Sequence, residues 1–485
     1  MADDGDMWTL ALDQGGHATR ARVFDERGIA VAGHEAAIAT RRPAPGEVEH
    51  DAPALWDSVQ DCLAAVGRSL GADATRIGAA ALCTQRSTAL AWSRADGAAL
   101  SPVLSWQDQR GAGRLRDLAL SEAEVQAITG LRRSPHYGAS KLRWCLDELG
   151  AVASAARDGT LALGPLSSWL VQRLSGGACL AVDPCNASRT LLWDLATRDW
   201  SPRLCRAFGV PREALPDCAP NRGAWGSVAV GAARVPLVVV TGDQSAVPFA
   251  FDAIPGRAFL TLGTGAFLQR PVAARPTTSE GLLASVLWAD ADEVRFALEG
   301  TINGAGAALA WIAERQGRSE AALLAELPEG LERIVAPPLF INAVGGGLGS
   351  PFWRSGLEPR FAGEGDAAAQ AVAGVESIVF LIAANLEAMA RSGHPVESLV
   401  VVGGLARLDG LLTRIAALGG VRVERALDLE ATAYGAARLA NPGLPALAAQ
   451  AMARHGTAAA LAPPAAAGLQ QRYRAWQDAL PASQD

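Results

Sequence analysis

The apolar run from Val235 to Val240, rich in β-branched residues, is followed at once by Thr241-Gly242-Asp243-Gln244. Such a run reads as a buried strand. One carboxylate and one amide then stand at its carboxyl end, where open α/β sheets bind ligands. A second strand, Ala258 to Leu262, runs into Gly263-Thr264-Gly265. That turn exposes backbone N–H groups and one hydroxyl, with no bulky side chain to keep a phosphate away. Alone, Asp243-Gln244 reads equally as a helix N-cap, and Gly263-Thr264-Gly265 as a hairpin turn. Together they place a base beside a phosphate cradle, the arrangement needed to move a phosphoryl group onto a hydroxyl.

Composition narrows the field. A chain of 485 residues, 50% of them hydrophobic, can bury more than one core, and two domains are expected. The formal net charge of −7, without a basic run, argues against nucleic acid as a partner. The acidic opening Met1-Ala2-Asp3-Asp4-Gly5-Asp6 is unlike a signal peptide. No apolar stretch is expected to approach the ~20 residues of a membrane span. The seven scattered cysteines, with no Cys-x-x-Cys pair, suit reduced thiols. The expectation is a cytoplasmic protein with neither membrane nor nucleic acid as partner.

Lys141 is the only lysine, in Ala139-Ser140-Lys141-Leu142-Arg143-Trp144 at the start of an expected helix. It fits neither a Walker loop nor the strand lysine of protein kinases. A nucleotide here has to be held by glycines, hydroxyls, arginine and a metal ion. Gly345-Gly346-Gly347-Leu348-Gly349 lacks the strand-to-helix setting and following acidic residue of a dinucleotide loop, which excludes a Rossmann dehydrogenase.

Along the chain, a strand at Trp8–Leu12, the turn Asp13-Gln14-Gly15-Gly16-His17 and a strand from Arg20 to Phe24 form a hairpin. A helix follows from Pro53 to Leu70, then a strand from Ile77 to Cys83 leading into Thr84-Gln85-Arg86-Ser87. Pro102 to Trp106 reads as a further strand, Val125 to Tyr137 as irregular, and Ser140 to Leu149 as a helix. The second half repeats the plan, with a hairpin about Gly263-Thr264-Gly265, a strand from Val294 to Leu298, and Glu299 to Asn303 opening a helix. A long apolar helix from Ala367 to Arg391 and a strand from Ser398 to Val402 lead into Gly403-Gly404. Two such halves with facing glycine turns suggest a duplicated fold about a cleft. The expected division is 1–245, 246–445 and a peripheral helical tail, 446–485.

The residues then carry a resemblance. Leu12-Asp13-Gln14-Gly15, the segment Pro45 to Asp51, Thr84-Gln85-Arg86, Trp106-Gln107-Asp108 and the segment Asn186 to Thr190 occur in order. Gly242-Asp243-Gln244, Gly263-Thr264-Gly265, Leu298-Glu299-Gly300 and Gly403-Gly404 follow. In this pattern the chain resembles the FGGY carbohydrate kinases, most of all their glycerol kinase branch, from about Leu10 to Ala440. The resemblance implies an α/β fold of two ribonuclease-H-like, actin/hexokinase-type domains, with ATP and Mg²⁺ as cofactors. It also implies a small polyol or ketose as substrate and a homodimer. By the resemblance, Asp243 is the general base and Asp13 the carboxylate near magnesium. Gly15, His17, Arg20, Gly263, Thr264, Gly306 and Gly404 are implied on the nucleotide. Arg86, Ser87, Trp106, His136, Asp243, Gln244 and Phe267 are implied around the acceptor. The chain departs from the branch at Ser87, where those kinases carry glutamate, and at His136, where they carry tyrosine. Gly16-His17, Leu408 and Ala310 depart on the nucleotide side. A xylulokinase-type enzyme and a non-catalytic sugar- or ATP-binding relative are the alternatives. A mere binder has no need of a base, which favours the enzyme.

Overall fold

The computed structural model describes residues 7–276, 280–426, 430–447 and 463–480. Its frame is a pair of six-stranded sheets. The first contains β1 (Trp8–Gln14), β2 (Ala18–Phe24), β3 (Ala30–Ala37), β4 (Ile77–Thr84), β5 (Ser227–Val230) and β6 (Ala233–Gly242), in the order β5-β6-β4-β1-β2-β3. The second contains β7 (Arg257–Leu262), β8 (Ala266–Val272), β9 (Leu283–Ala289), β10 (Val294–Ile302), β11 (Ser398–Val402) and β12 (Arg422–Arg425), in the order β9-β10-β8-β7-β11-β12.

The pairing repeats. β1 runs antiparallel to β2, β2 antiparallel to β3, and β1 and β6 both parallel to β4. In the second sheet β7 runs antiparallel to β8, β8 antiparallel to β10, and β7 and β12 both parallel to β11. β5 and β9 are the extra edge strands, on opposite edges of their sheets.

Strand β1 is buried along its whole length, so both faces need cover. Leu10 and Leu12 join Leu55 and Val59 of helix Ala52–Leu70, which Asp51 caps by accepting a bond from the Ala54 N–H at 3.0 Å. Ala11, on the opposite face, packs in one cluster with Ala433, Tyr434 and Ala437 of helix Ala431–Ala440. Phe259, Val400 and Val402 of the second sheet share that cluster. This helix, late in the chain, is therefore wedged between the sheets.

Several expectations are corrected. Glu299 to Ile302 continue strand β10, pairing with Ala266–Gln269 of β8, and the helix begins only at Gly306. The β-sheet partner outweighs the helical reading of that short segment. A helix, Glu122–Thr129, with a Ser121–Glu124 capping box, occupies part of the stretch read as irregular. Pro102–Trp106 contributes only a two-residue strand, Val103–Leu104. The tail is not peripheral where it is described. Helix Pro463–Ala479 puts Tyr473 and Trp476 into the core of the second half, beside Phe340 and Phe380. Helix Ala367–Arg391 is long and apolar enough to cross a membrane by length and composition, against expectation. Most of it is buried in the core of the second half, as a central helix would be.

Candidate active site

Parallel register assembles the first half of the site. Because Asp13 lies opposite Cys83, and Gly242 opposite Thr84, strands β1, β4 and β6 end side by side. Asp13, Gln85-Arg86 and Asp243 therefore leave the same sheet edge, the place an open parallel sheet offers to ligands. Asp13 is buried, and burial, with Asp243 as a second negative charge, pushes its carboxyl up to about 7. Arg20, opposite it across the hairpin at 4.0 Å, pulls the other way but is also bound to Glu35 at 2.7 Å. Burial likewise raises the Asp243 carboxyl, and the Arg86 guanidinium, 4.0 Å away, partly offsets this.

Gln244 follows on the same short helix, and its Oε1 is buried without a hydrogen-bond partner. An orphaned buried acceptor costs on the order of 1–3 kcal/mol, a cost that a ligand hydroxyl removes.

Trp106 and Phe267 meet edge to face, with centroids 6.2 Å apart. The first belongs to the amino-terminal half and the second to β8, so this aromatic pair spans the two halves. His136 joins them, its Nδ1 lying 3.0 Å from the Trp106 carbonyl. Burial, then the charge of Lys141, holds the imidazole below its ordinary pKa. Ser87 is buried beside Arg86 with φ of 66°, a left-handed conformation that serine adopts at a cost.

The second half supplies the turns. The Gly263 carbonyl accepts the Gly306 N–H at 2.9 Å, and the Thr264 carbonyl accepts the N–H groups of Ala305 and Ala307. The β7–β8 turn and the start of helix Gly306–Arg315 are thus one unit, with Gly263 and Thr264 exposed. Thr261 pairs with Val402, which sets Gly403 against Leu262. Gly403 has φ of 100°, and a Cβ there would lie 2.3 Å from the Leu262 carbonyl oxygen. Only glycine fits. A Cβ on Gly404, by contrast, would meet nothing within 4 Å, so open space stands over this turn. Gly15 closes the β1–β2 hairpin through its N–H to Ala18, and His17 is exposed at the tip.

Two residues given no role from the sequence prove central. Glu299 is buried and accepts from Arg86 at 2.7 Å, Arg189 at 2.6 Å, Gln269 at 2.9 Å and Ser285 at 2.6 Å. Burial opposes its ionisation, but the guanidinium of Arg86, then that of Arg189, outweighs this and holds the carboxyl far below the usual range. Lys141 is wholly buried, and its Nζ donates to the carbonyls of Ser87 at 3.1 Å, Ser105 at 2.6 Å and His136 at 2.7 Å. An ammonium has three donors, and all three are used. They tie together the segments that carry Arg86, Trp106 and His136. Its membership of the quoted motifs could have flagged Glu299; for Lys141 the signal was a lone lysine within an apolar helix start.

Among the described residues no group of three or more His, Cys, Asp or Glu could hold a metal ion. Two neighbouring carboxylates at one buried sheet edge nevertheless suit a cation that arrives with a nucleotide, since Mg²⁺ uses few protein ligands.

Comparison with known proteins gives the family and the fold. The model of the FGGY family of carbohydrate kinases, N-terminal domain, matches residues 8–250, and that of its C-terminal domain matches residues 258–443. The chain is 36% identical over 453 residues to a glycerol kinase of Aromatoleum aromaticum, covering 90% of each. It is 34% identical over 451 residues to one of Citrifermentans bemidjiense, again covering 90% of each. The fold is shared with a crystal structure of Plasmodium falciparum glycerol kinase with ADP, at a TM-score of 0.85 and 22% identity, covering 98% of this chain and 97% of that one. It is also shared with a xylulose kinase from Brucella ovis, at a TM-score of 0.84 and 23% identity, covering 98% and 99%.

Proposed function

The chain belongs to the FGGY family of carbohydrate kinases, and we propose that it transfers the γ-phosphoryl group of ATP to a hydroxyl of a small polyol, with Asp243 as general base. The observation that carries this reading is the pairing of Asp243 and Arg86 at the carboxyl edge of the first sheet, next to the unpartnered Gln244 Oε1. Asp243 takes the hydroxyl proton as the oxygen attacks the γ-phosphorus, and ADP leaves with the electrons of the broken P–O bond. Burial raises the proton affinity of Asp243, which suits a base, while Arg86 favours its ionised form. Gln244 and Arg86 would hold the acceptor hydroxyls, and the Trp106–Phe267 pair would wall its carbon edge.

On the opposite side Gly263, Thr264, Gly306 and Gly404 would accept the nucleotide, with Arg20, Gly15 and His17 at the hairpin end. Magnesium, when bound with the nucleotide, supplies neutralising charge. Asp13 would hold it, through water.

Glycerol kinases among the curated relatives favour a polyol. Ser87 in place of a glutamate leaves the acceptor end roomier and uncharged, so a four- or five-carbon acceptor is preferred to glycerol in this reading. The test is an ATP-coupled assay across three- to six-carbon polyols and ketoses, with wild type and Asp243→Asn. Turnover in Asp243→Asn should fall by roughly 10²- to 10⁴-fold with nucleotide binding intact. Turnover within about threefold of wild type removes Asp243 from the role. A higher specificity constant for glycerol than for every longer acceptor refutes the substrate preference alone.

A further inference from the structure

A cavity of about 830 Å³ lies at the opposite end of the second sheet from the Gly263–Gly265 turn. It is lined at the start of β7 by Arg257 and Phe259, at the end of β8 by Arg270, and where β9 passes to β10 by Trp288 and Arg295. The segment Pro248 to Pro255, which joins the two halves, forms another wall, with Arg222 from the amino-terminal half and Arg438 from the wedged helix. The cavity is therefore a hinge cavity, touched by both halves and by their connection. Its volume is that of a small-molecule site.

Its charge is unbalanced. Arg270 donates only to the carbonyls of Pro395 and Pro271 and has no carboxylate of a described residue within 4 Å; burial lowers its pKa, and the more distant Glu397 only partly offsets this. Arg438 likewise donates to carbonyls, those of Phe249, Phe251 and Leu444. Arg222 donates to the Leu439 carbonyl and lies over the Trp288 ring at 5.9 Å. Arg257 pairs with Glu424, but it is only 2% exposed and its Nε has no partner.

The acids on the lining answer these cations only in part. Glu293 is taken by Arg295 at 2.9 Å. Asp290 accepts from the Trp288 indole and from the backbone of Asp292 and Glu293, although Arg222 also lowers its pKa. Asp252 is exposed at the rim. Aromatic walls with two guanidiniums, Arg270 and Arg438, that donate only to carbonyls among the described residues, beside three further arginines, suit a flat or apolar body bearing a multiply charged oxyanion.

We propose that this hinge cavity is a second ligand site, separate from the catalytic cleft, for a small phosphate monoester with a ring or apolar body. Because its walls come from both halves, an occupant biases how the halves close.

Calorimetry on the full chain saturated with ADP and polyol tests this, with phenyl phosphate as probe. One phenyl phosphate should bind per chain, whereas benzyl alcohol, the ring without the anion, should not. Benzoate should bind more weakly than phenyl phosphate, since a carboxylate offers less charge to several guanidiniums. Arg270→Gln should weaken phenyl phosphate binding roughly tenfold or more, the usual consequence of losing a charged hydrogen-bond partner. Turnover without phenyl phosphate should stay at the wild-type level in that variant. Arg295→Gln, at an exposed pair, is the second variant and should also weaken binding. Absence of saturable binding overturns the proposal. So does displacement of the probe by ADP, or an affinity unchanged in both variants. None of these readouts requires Asp243 to be the base, so this site and the catalytic reading fail separately.

Discussion

Replacing Lys141 with methionine separates holding the fold from shaping the acceptor site. The ammonium donates to three buried carbonyls, and leaving each unpaired costs on the order of 1–3 kcal/mol. The opposing effect is similar in size. Burial, partly offset by Asp108 and reinforced by Arg110, brings the Lys141 amine from 10.5 down to about 7. That shift corresponds to roughly 5 kcal/mol against keeping the charge inside the protein. Lys141→Met therefore trades two effects of comparable magnitude, and the chain should still fold. What it loses is the tie between the carbonyls of Ser87, Ser105 and His136, so Arg86, Trp106 and His136 lose their fixed spacing. The KM for the acceptor should rise at least about tenfold, with the KM for ATP nearly unchanged. Wild type should show a pH effect absent from the variant. Above about pH 7 a neutral amine has two N–H groups for three carbonyls, so the acceptor KM should climb through that region. Stability should move the other way. The unfolded lysine keeps its proton up to 10.5, so unfolding free energy rises with pH between about 7 and 10.5. A folded Lys141→Met enzyme whose acceptor KM stays within about threefold of wild type and follows the same pH profile refutes this reasoning.

The remaining predictions concern charge, closure and specificity. In magnesium-free buffer the raised Asp13 carboxyl keeps its proton in the fold while the unfolded chain releases it, so stability should fall as pH rises from 3.8 to about 7. Asp13→Asn should flatten that slope in urea titrations, and an unchanged slope removes Asp13 as its source. Acceptor plus a non-hydrolysable nucleotide should lower the radius of gyration in small-angle scattering, as the halves close about the connection near residues 243–258; identical curves with saturating ligands contradict closure. Ser87→Glu should shift the ratio of specificity constants towards glycerol by roughly tenfold or more, and a ratio unmoved by the substitution shows that position 87 does not set acceptor length.

Legibility in the sequence followed the range of the interactions. Strands β1, β4, β6, β7 and β11 were readable because each is a short apolar run ending in glycine or polar residues. Their carboxyl ends carry Asp13, Arg86, Asp243 and the glycine turns, so most of the candidate site lay in local pattern. The segment Glu299 to Ile302 was misread because its strand character comes from pairing with β8. Strand β9 has no counterpart among the sequence expectations. It is buried at every residue, as β1 is, so its apolar run was as legible, but it ends in no glycine turn or site motif that draws a reading to it. Trp476 falls in the segment expected as a peripheral helical tail, yet its indole donates to the Phe340 carbonyl, 136 residues earlier in the chain. Lys141 was assigned no role because its partners are backbone carbonyls, which carry no trace in side-chain identity.

The network about Glu299 links these observations to one another. Glu299 comes from the second sheet, while Arg86 and Arg189 come from the first half, so the ion network bridges the two. A buried carboxylate between two guanidiniums is tolerated only while all three remain paired, because removing one partner leaves an uncompensated charge. Arg86 is also the cation beside Asp243, at 4.0 Å. One guanidinium is therefore shared between the acidic group that would accept the proton and the bridge between the halves. A movement that drew Arg86 towards an acceptor hydroxyl would loosen its 2.7 Å bond to Glu299, whereas Gln269 and Ser285 hold Glu299 in place from its own side. The setting of Asp243 and the relative placement of the halves are consequently not independent. An acceptor held at Arg86 would be felt at the bridge, and closure across the bridge would be felt at Asp243.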